Sequence, residues 1–349
     1  MSSKLTIRDV AKDAGVSVST ASRAMGNYGY VSDEVRATVL ESARKLGYRP
    51  HAIAKSMVSG ETKTIGFVVG DIENPFFASL AKYVNALISL QGYTMMVYTT
   101  DENIEEEIRG VDSLISKQVD GLIIAPSSAN EYSHILAAQN SGVSVVLVDR
   151  PLPDLEIDCV SVDNIQAMNE AVTYLLDLGH KDIGFLSDSL EISSNQERLA
   201  GYTRALNDHG IEANNDLLKI TGYTVMDGYR GAVALLSSPQ RPSAVVTANN
   251  FMTTGFLLAA HDMGIKIPDN ISLIGFDELD WYKLINPPIT TIAQPIKRIG
   301  QEVSRLLLSR MVNKGEIRHS ETILLNTHLT HRNSTKKNLN ISLSVSYTS

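Results

Sequence analysis

The sequence predicts two unlike parts: a small all-α head, then an α/β core of two doubly wound parallel-sheet lobes. Three observations carry this. Residues 5–50 hold three short stretches with apolar residues at helical spacing, each bounded by capping residues. From residue 61 onward short apolar runs alternate with helical ones, the pattern of parallel α/β sheets. Lys63-Thr-Ile-Gly-Phe-Val-Val opens this region, and Lys181-Asp-Ile-Gly-Phe-Leu-Ser echoes it near the middle, so the core divides into two similar halves. The resulting plan is a head at 1–50, a hinge at 51–60, a core at 61–330 and a polar tail at 331–349.

In the head, Thr6 and Asp9 have the spacing of a capping box. Ile7, Val10, Ala11 and Ala14 then form one apolar face, and Gly15 suits a left-handed stop. Ser17 is a fresh N-cap for a second helix, Val18 to Met25. Ala21, Ala24 and Met25 face inward there, which leaves Val18, Ser19, Ser22 and Arg23 on the free side. A third helix, capped by Ser32, turns Val35, Val39, Ala43 and Leu46 inward. A short helix with a small-residue inner face and a polar outer face can enter a major groove about 12 Å wide. On it Arg23 offers a bidentate fork to guanine and Val18 a methyl contact to thymine. Ser17, Thr20 and Thr6 are placed to hold phosphates and set register.

Charge agrees with this division. The chain carries net −8, but residues 1–60 hold nine Lys/Arg against five Asp/Glu, so the remainder carries −12. A basic head on an acidic body suits contact with nucleic acid at one end only.

The order DVA…AGVS…STxSR…VSxExRxxVLxxAxxLGYRPxxxA across residues 5–60 resembles the DNA-binding head of the LacI/GalR family of regulators. The resemblance implies that Val18, Ser19 and Arg23 read bases. Ala21 stands where the family usually has Val. It also implies that residues 51–58 form a hinge helix that orders on DNA in the minor groove, where a Leu from each of two copies wedges between base steps. Met57 occupies that position here, and Met is among the apolar wedges that unstack bases. Alone, so short a segment is a marginal helix.

The core's strand candidates are Thr64–Val69, Tyr93–Tyr98, Val119–Ala125 and Val143–Val148, then Ile183–Leu186, Leu217–Thr221, Ala244–Thr247 and Ile271–Phe276. Ligands of such sheets sit beyond the carboxyl ends of the strands. Asn74, Phe76 and Phe77 follow the first strand, Asp149 and Arg150 the fourth, and Tyr223, Asn249 and Asp277 later ones. Arg198 precedes Leu-Ala-Gly-Tyr, and Gln294 ends Ile-Thr-Thr-Ile-Ala-Gln. Aromatic rings stack on the apolar faces of a sugar, while Asp, Asn, Arg and Gln pair with its hydroxyls. Singly, each residue reads more readily as a helix cap or core residue; their joint placement at predicted sheet edges is what points to a site.

The segments NPFF, VDR, ERLAGY, TANN, LIGFDELD and PPITTIAQP resemble the ribose-binding-protein-like core of the same family. That resemblance implies sugar-contact roles for these ten residues. Tyr223 replaces the more usual Phe or Trp. Asn250 replaces a frequent Asp and reads as a helix cap. Two carboxylates (Asp149, Asp277) against two guanidiniums (Arg150, Arg198) balance, which predicts a neutral pentose or hexose. A rotation of Arg198 that presented both guanidiniums together would instead select a sugar acid or sugar phosphate. Trp281 reads either as a roof of the cleft or as a dimer contact, and Glu105-Glu-Glu as a solvated helix face.

The implied protein is a sequence-specific repressor controlled by a sugar-type effector. An enzyme is the rival class, but the chain has no GxSxG, HExxH, P-loop or in-frame GxGxxG motif. No cofactor is expected. One cysteine, Cys159, rules out an internal disulfide or a CxxC metal pair. A sugar carrier would need a leader, and MSSKLTIRDVAK lacks an apolar h-region, so a cytoplasmic protein is expected. The tail has no leucine heptad, so the expected assembly is a homodimer rather than a tetramer. An activator with the same architecture remains a third reading.

Overall fold

The chain divides into two compact units, Met1–Lys63 and Thr64–Ser349. A computed structural model describes residues 5–26, 29–48, 61–152, 154–313 and 319–338. The hinge reading at 51–60, with Met57, lies outside them.

The head is built from α1 (Ile7–Asp13), α2 (Val18–Gly26) and α3 (Asp33–Leu46). Val10, Ala11, Ala21, Ala24, Val39 and Ala43 form its buried centre, with Ile7, Ala14, Met25, Val35 and Leu46 packed around them. Alanine dominates because three helices this short must approach closely to close a core. Gly15 (φ +64°) makes the turn between α1 and α2, and Gly47 (φ +70°) ends α3; both angles favour glycine. Asp13 fastens α1 to α3, accepting from Ser42 Oγ at 2.8 Å and Lys45 Nζ at 2.9 Å.

The core has two six-stranded sheets. Lobe 1 contains β1 (Thr64–Val69), β2 (Thr94–Thr99), β3 (Gly121–Ile124), β4 (Ser144–Val148) and β5 (Asp158–Val162). Its helices are α4 (Pro75–Leu90), α5 (Ile104–Ser116) and α6 (Ser133–Asn140). The chain then enters lobe 2 through α7 (Asn164–Asp177), β6 (Ile183–Ser187), α8 (Ser193–Asp208) and β7 (Leu218–Ile220). It continues through α9 (Val225–Leu236), β8 (Ala244–Thr247), α10 (Asn250–Asp262), β9 (Ser272–Phe276) and β10 (Thr290–Ala293). Helix α11 (Ile296–Val312) returns to lobe 1 and packs on α4 and on β3, β4 and β5. Strand β11 (Thr322–Leu325) pairs in parallel with β5, and β12 (His328–Thr330) crosses back to lie antiparallel to β10. The chain therefore passes between the lobes three times.

The strand orders are β2-β1-β3-β4-β5-β11 and β7-β6-β8-β9-β10-β12. The order reverses beside β1 in one sheet and beside β6 in the other, and the crevice at such a switch point is where ligands enter. Central strands such as β3 and β9 are buried along their whole length, as a sheet with helices on both faces requires.

The structure moves one boundary. Residues 331–338, assigned from sequence to the tail, are part of lobe 2. Ser334 is fully buried; its Oγ donates to Leu273 O at 2.6 Å and accepts from Thr290 N at 2.7 Å. No helix among the described residues is long and apolar enough to cross a membrane.

Candidate functional site

On the head, Val18 is 44 % exposed, and Ser19 and Arg23 share its open side. Ser17 caps α2: its Oγ accepts from Thr20 N at 3.1 Å and lies 2.9 Å from Ser19 Oγ and 2.8 Å from Thr20 Oγ1. Thr6 Oγ1 donates to Asp9 at 2.8 Å, and Ser22 is half-buried. The free face of α2 thus carries the residues read as base contacts; of those read as phosphate contacts, Ser17 and Thr20 lie at its start and Thr6 caps α1.

In the core, all ten residues singled out from the sequence line one cleft of about 520 Å³ between the lobes. Asn74 caps α4, accepting from Phe76 N at 3.0 Å, and Asn249 caps α10, accepting from Met252 N at 2.9 Å. Both cap residues line the cleft. Asp149 directly follows β4 and Asp277 directly follows β9, the fourth strand of each lobe. Both adopt left-handed φ, +68° and +72°, and both backbone amides bond back to the next strand. Such strain in a non-glycine residue is characteristic of functional positions. Here it turns two equivalent carboxylates into the cleft from opposite lobes.

The guanidinium groups are tightly held. Arg150 Nη1 donates to Glu102 Oε2 at 2.5 Å and to Pro126 O at 3.0 Å; Nη2 donates to Glu102 Oε1 at 2.6 Å. Its plane also lies over Phe77, 5.4 Å from the ring centre. Burial opposes its charge, but Glu102 together with Asp149 and Asp188 outweighs this and pushes the Arg150 pKa up. Arg198 donates to Asn164 Oδ1 at 2.8 Å and Ala248 O at 2.7 Å, and its guanidinium stacks 3.8 Å from the centre of Phe276. The rotation of Arg198 entertained from sequence would break all three contacts.

Several cleft residues escaped the sequence reading. Glu102 and Asp188 add two carboxyl groups, so in the inner site four acids, Glu102, Asp149, Asp188 and Asp277, stand with two guanidiniums, Arg150 and Arg198. Asp188 accepts from Asn195 Nδ2 and, at 2.8 Å, from Asn249 Nδ2. Burial first, then the charge of Glu102, pushes its pKa up to about 7. Burial likewise raises Asp149, against the pull of Arg198 and Arg150. Asn250 corrects its reading as a cap. Asn249 is the cap, while Asn250 Nδ2 reaches Asp277 Oδ2 at 2.9 Å and, across the lobes, Asn74 Oδ1 at 2.8 Å. A backbone bond from Ala129 N to Glu191 O at 2.7 Å joins the lobes elsewhere. Phe251 also lines the cleft, whereas Trp281 meets Tyr282 edge-on and is not part of the lining. Glu107 is fully buried and bonds His134 Nε2 at 2.7 Å, so the Glu105–Glu107 run is not a wholly solvated face.

Three buried polar atoms of the cleft lining have no hydrogen-bond partner within the protein: Asp149 Oδ1, Gln294 Oε1 and Arg150 Nε. Two acceptors and one donor suit a ligand rich in hydroxyl groups. Among the described residues no group of three or more His, Cys, Asp or Glu is placed to hold a metal ion.

A helix-turn-helix head joined to a two-lobed, cleft-bearing α/β core defines a ligand-responsive transcription regulator. Residues 6–51 match the bacterial regulatory proteins of the lacI family, and residues 62–337 match the periplasmic binding proteins and sugar binding domain of LacI family. The chain is 33 % identical to catabolite control protein A of Priestia megaterium over 95 % of its own length and 99 % of that protein's. It is 34 % identical to the transcriptional repressor CytR of Escherichia coli K12 over 95 % and 96 % of the two chains. Its fold is similar to a LacI family transcriptional regulator from Enterococcus faecium with bound ribose (TM-score 0.70, 29 % identity, 79 % and 99 % of the chains covered). The chain belongs to the lacI family of bacterial regulatory proteins: it is a DNA-binding transcriptional repressor with a sugar-binding-type core, not an enzyme.

Proposed function

We propose that this repressor works in the cytoplasm as a homodimer whose affinity for a pseudopalindromic operator is set by a neutral pentose or hexose in the core cleft. The observation that carries the reading is the pair of acceptors without a hydrogen-bond partner, Asp149 Oδ1 and Gln294 Oε1, in a cleft where carboxyl groups outnumber guanidiniums. Hydroxyl groups satisfy those acceptors, whereas an anion would meet like charge in a poorly solvated site. Asn74, Asn249, Asp277 and Gln294 take hydroxyls in this reading, Arg150 and Arg198 orient the acceptors, and Phe76 and Tyr223 flank the ring. Phe77 is left a smaller part, since Arg150 lies over its ring. The ribose complex of the Enterococcus faecium relative supports a sugar of this size.

A ligand touching Arg150 bears on Pro126, whose loop carries the interlobe bond from Ala129 to Glu191. This is a physical route from cleft to lobe closure. On the head, Val18, Ser19 and Arg23 read bases, Thr6, Ser17, Thr20 and Ser22 contact the backbone, and Met57 wedges at the operator centre. Edge strand β2 leaves Met96 and Val97 open, apolar surface that a second copy would cover.

The test is to select operator DNA from a random pool, then measure affinity with and without neutral pentoses and hexoses. A pseudopalindromic site and a change of at least about tenfold with one sugar are expected, about 1.4 kcal/mol of coupling. A sugar acid or sugar phosphate that acts where no neutral sugar does would overturn the ligand reading.

A further inference from the structure

We infer that Glu102 is a specificity-determining residue of the cleft: by filling the guanidinium fork of Arg150, it denies that fork to anionic ligands. This rests on the reading of the cleft as the effector site. A paired guanidinium fork is the ordinary receptor for a carboxylate or phosphate. Here both terminal nitrogens of Arg150 are taken by Glu102, at 2.5 and 2.6 Å. The remaining nitrogen, Nε, is 3.5 Å from Asp149 Oδ2. Arg150 therefore faces the ligand as half of a neutralised pair.

The backbone is arranged to deliver this carboxylate. Asp101 and Glu102 are consecutive non-glycine residues with left-handed φ, +49° and +56°, directly before the Asn103 cap of α5. Two adjacent residues in that region cost energy that a plain connection would avoid. Gly70, at the end of β1, leaves the space the side chain uses: a β-carbon there would sit 1.9 Å from Glu102 Oε1. A turn held in an unfavourable conformation, a glycine that clears the path and a two-point pair on a buried arginine converge on one side chain.

The experiment uses the full chain and defined probes: a panel of neutral pentoses and hexoses, and separately ribonate, gluconate and inorganic phosphate, read by calorimetry and thermal shift. The wild type is expected to reject all three anions. Glu102→Gln should bind at least one of them at least tenfold more tightly than wild type, and adding Arg150→Gln should abolish that gain. Gly70→Ala displaces the Glu102 carboxylate without changing any charge, so it should give the same gain and serves if Glu102→Gln does not fold. Anion binding by the wild type, an unchanged anion affinity in a folded Glu102→Gln or Gly70→Ala protein, or a gain that survives Arg150→Gln would each overturn the inference. If no neutral sugar binds the wild type yet the Arg150-dependent gain appears, the sugar reading fails and the role of Glu102 stands. If a neutral sugar binds and no gain appears, the reverse holds.

Discussion

Replacing Asp188 by Asn should change the stability of the core with a sign that depends on pH. The side chain is buried, lies near Glu102 and titrates near 7 rather than at 3.8. Each tenfold difference in proton affinity is worth about 1.4 kcal/mol, so ionising Asp188 in the folded protein costs on the order of 4 kcal/mol. The folded state keeps a proton that the unfolded chain releases above 3.8. The stability Asp188 contributes is therefore full at pH below about 4 and is lost progressively as pH rises to about 7. Asn cannot ionise, but both neighbours donate to this position, Asn195 Nδ2 and Asn249 Nδ2. An amide there leaves donor facing donor, at a cost of about 1–2 kcal/mol at any pH. Near pH 4 the variant should accordingly be less stable than the wild type by about that amount. At pH 8 it should be more stable by about 2 kcal/mol, the ionisation cost less the lost hydrogen bond. Urea unfolding of both proteins from pH 4 to 8 reads the crossing directly. A stability difference that stays constant across that range would refute the reasoning.

Asp277→Ala should weaken binding of the neutral sugar on the order of a hundredfold, because Asn250 Nδ2 and Gln294 Nε2 lose their acceptor together with the ligand; calorimetry showing less than a threefold loss would remove Asp277 from the contact set. Arg23→Ala should cost about 1–3 kcal/mol of operator affinity and relax preference at one base pair; equal weakening on all sequences in a competition assay would make it a phosphate contact only. Gly255→Ala should destabilise the core by about 3 kcal/mol, since its β-carbon would lie 2.4 Å from Tyr229 N and 2.5 Å from Val225 O, backbone atoms that cannot rotate aside; an unchanged urea midpoint would show that α9 and α10 separate freely.

The head was legible because its helices are local: caps, turn glycine and apolar spacing all lie within a few residues of one another. Eight core strands were legible as apolar runs, with boundaries off by a residue or two, as at β2. Strands β5, β10, β11 and β12 escaped, β5 and β10 because they are polar as well as buried. Asp158 is neutralised by Arg310, Ser161 Oγ donates to Asp149 O at 2.8 Å, and Thr290 is satisfied from residues 332 and 334. Their burial is arranged by partners distant in sequence, which periodicity does not register. Asp188 carried the same signal as Asp149 and Asp277, an acid just after a strand, and was within reach of the same argument. Glu102 carried none. It lies in an acidic stretch that resembles a solvated surface, and only the folded turn brings it to Arg150.

The three passages between the lobes bear on how the chain is made. Lobe 1 is not a finished body when residue 162 leaves the ribosome: the open edge of β5 waits for β11, and the sheet face around β3 and β4 waits for α11. At about 5–20 residues per second, the roughly 160 residues still to be made before β11 take on the order of 8–30 s. During that interval the nascent protein presents an unpaired strand edge and an uncovered apolar face, a template for wrong pairing with neighbouring chains. The interleaved topology thus makes translation speed and chaperone cover, and not only final stability, determinants of how much repressor a cell obtains.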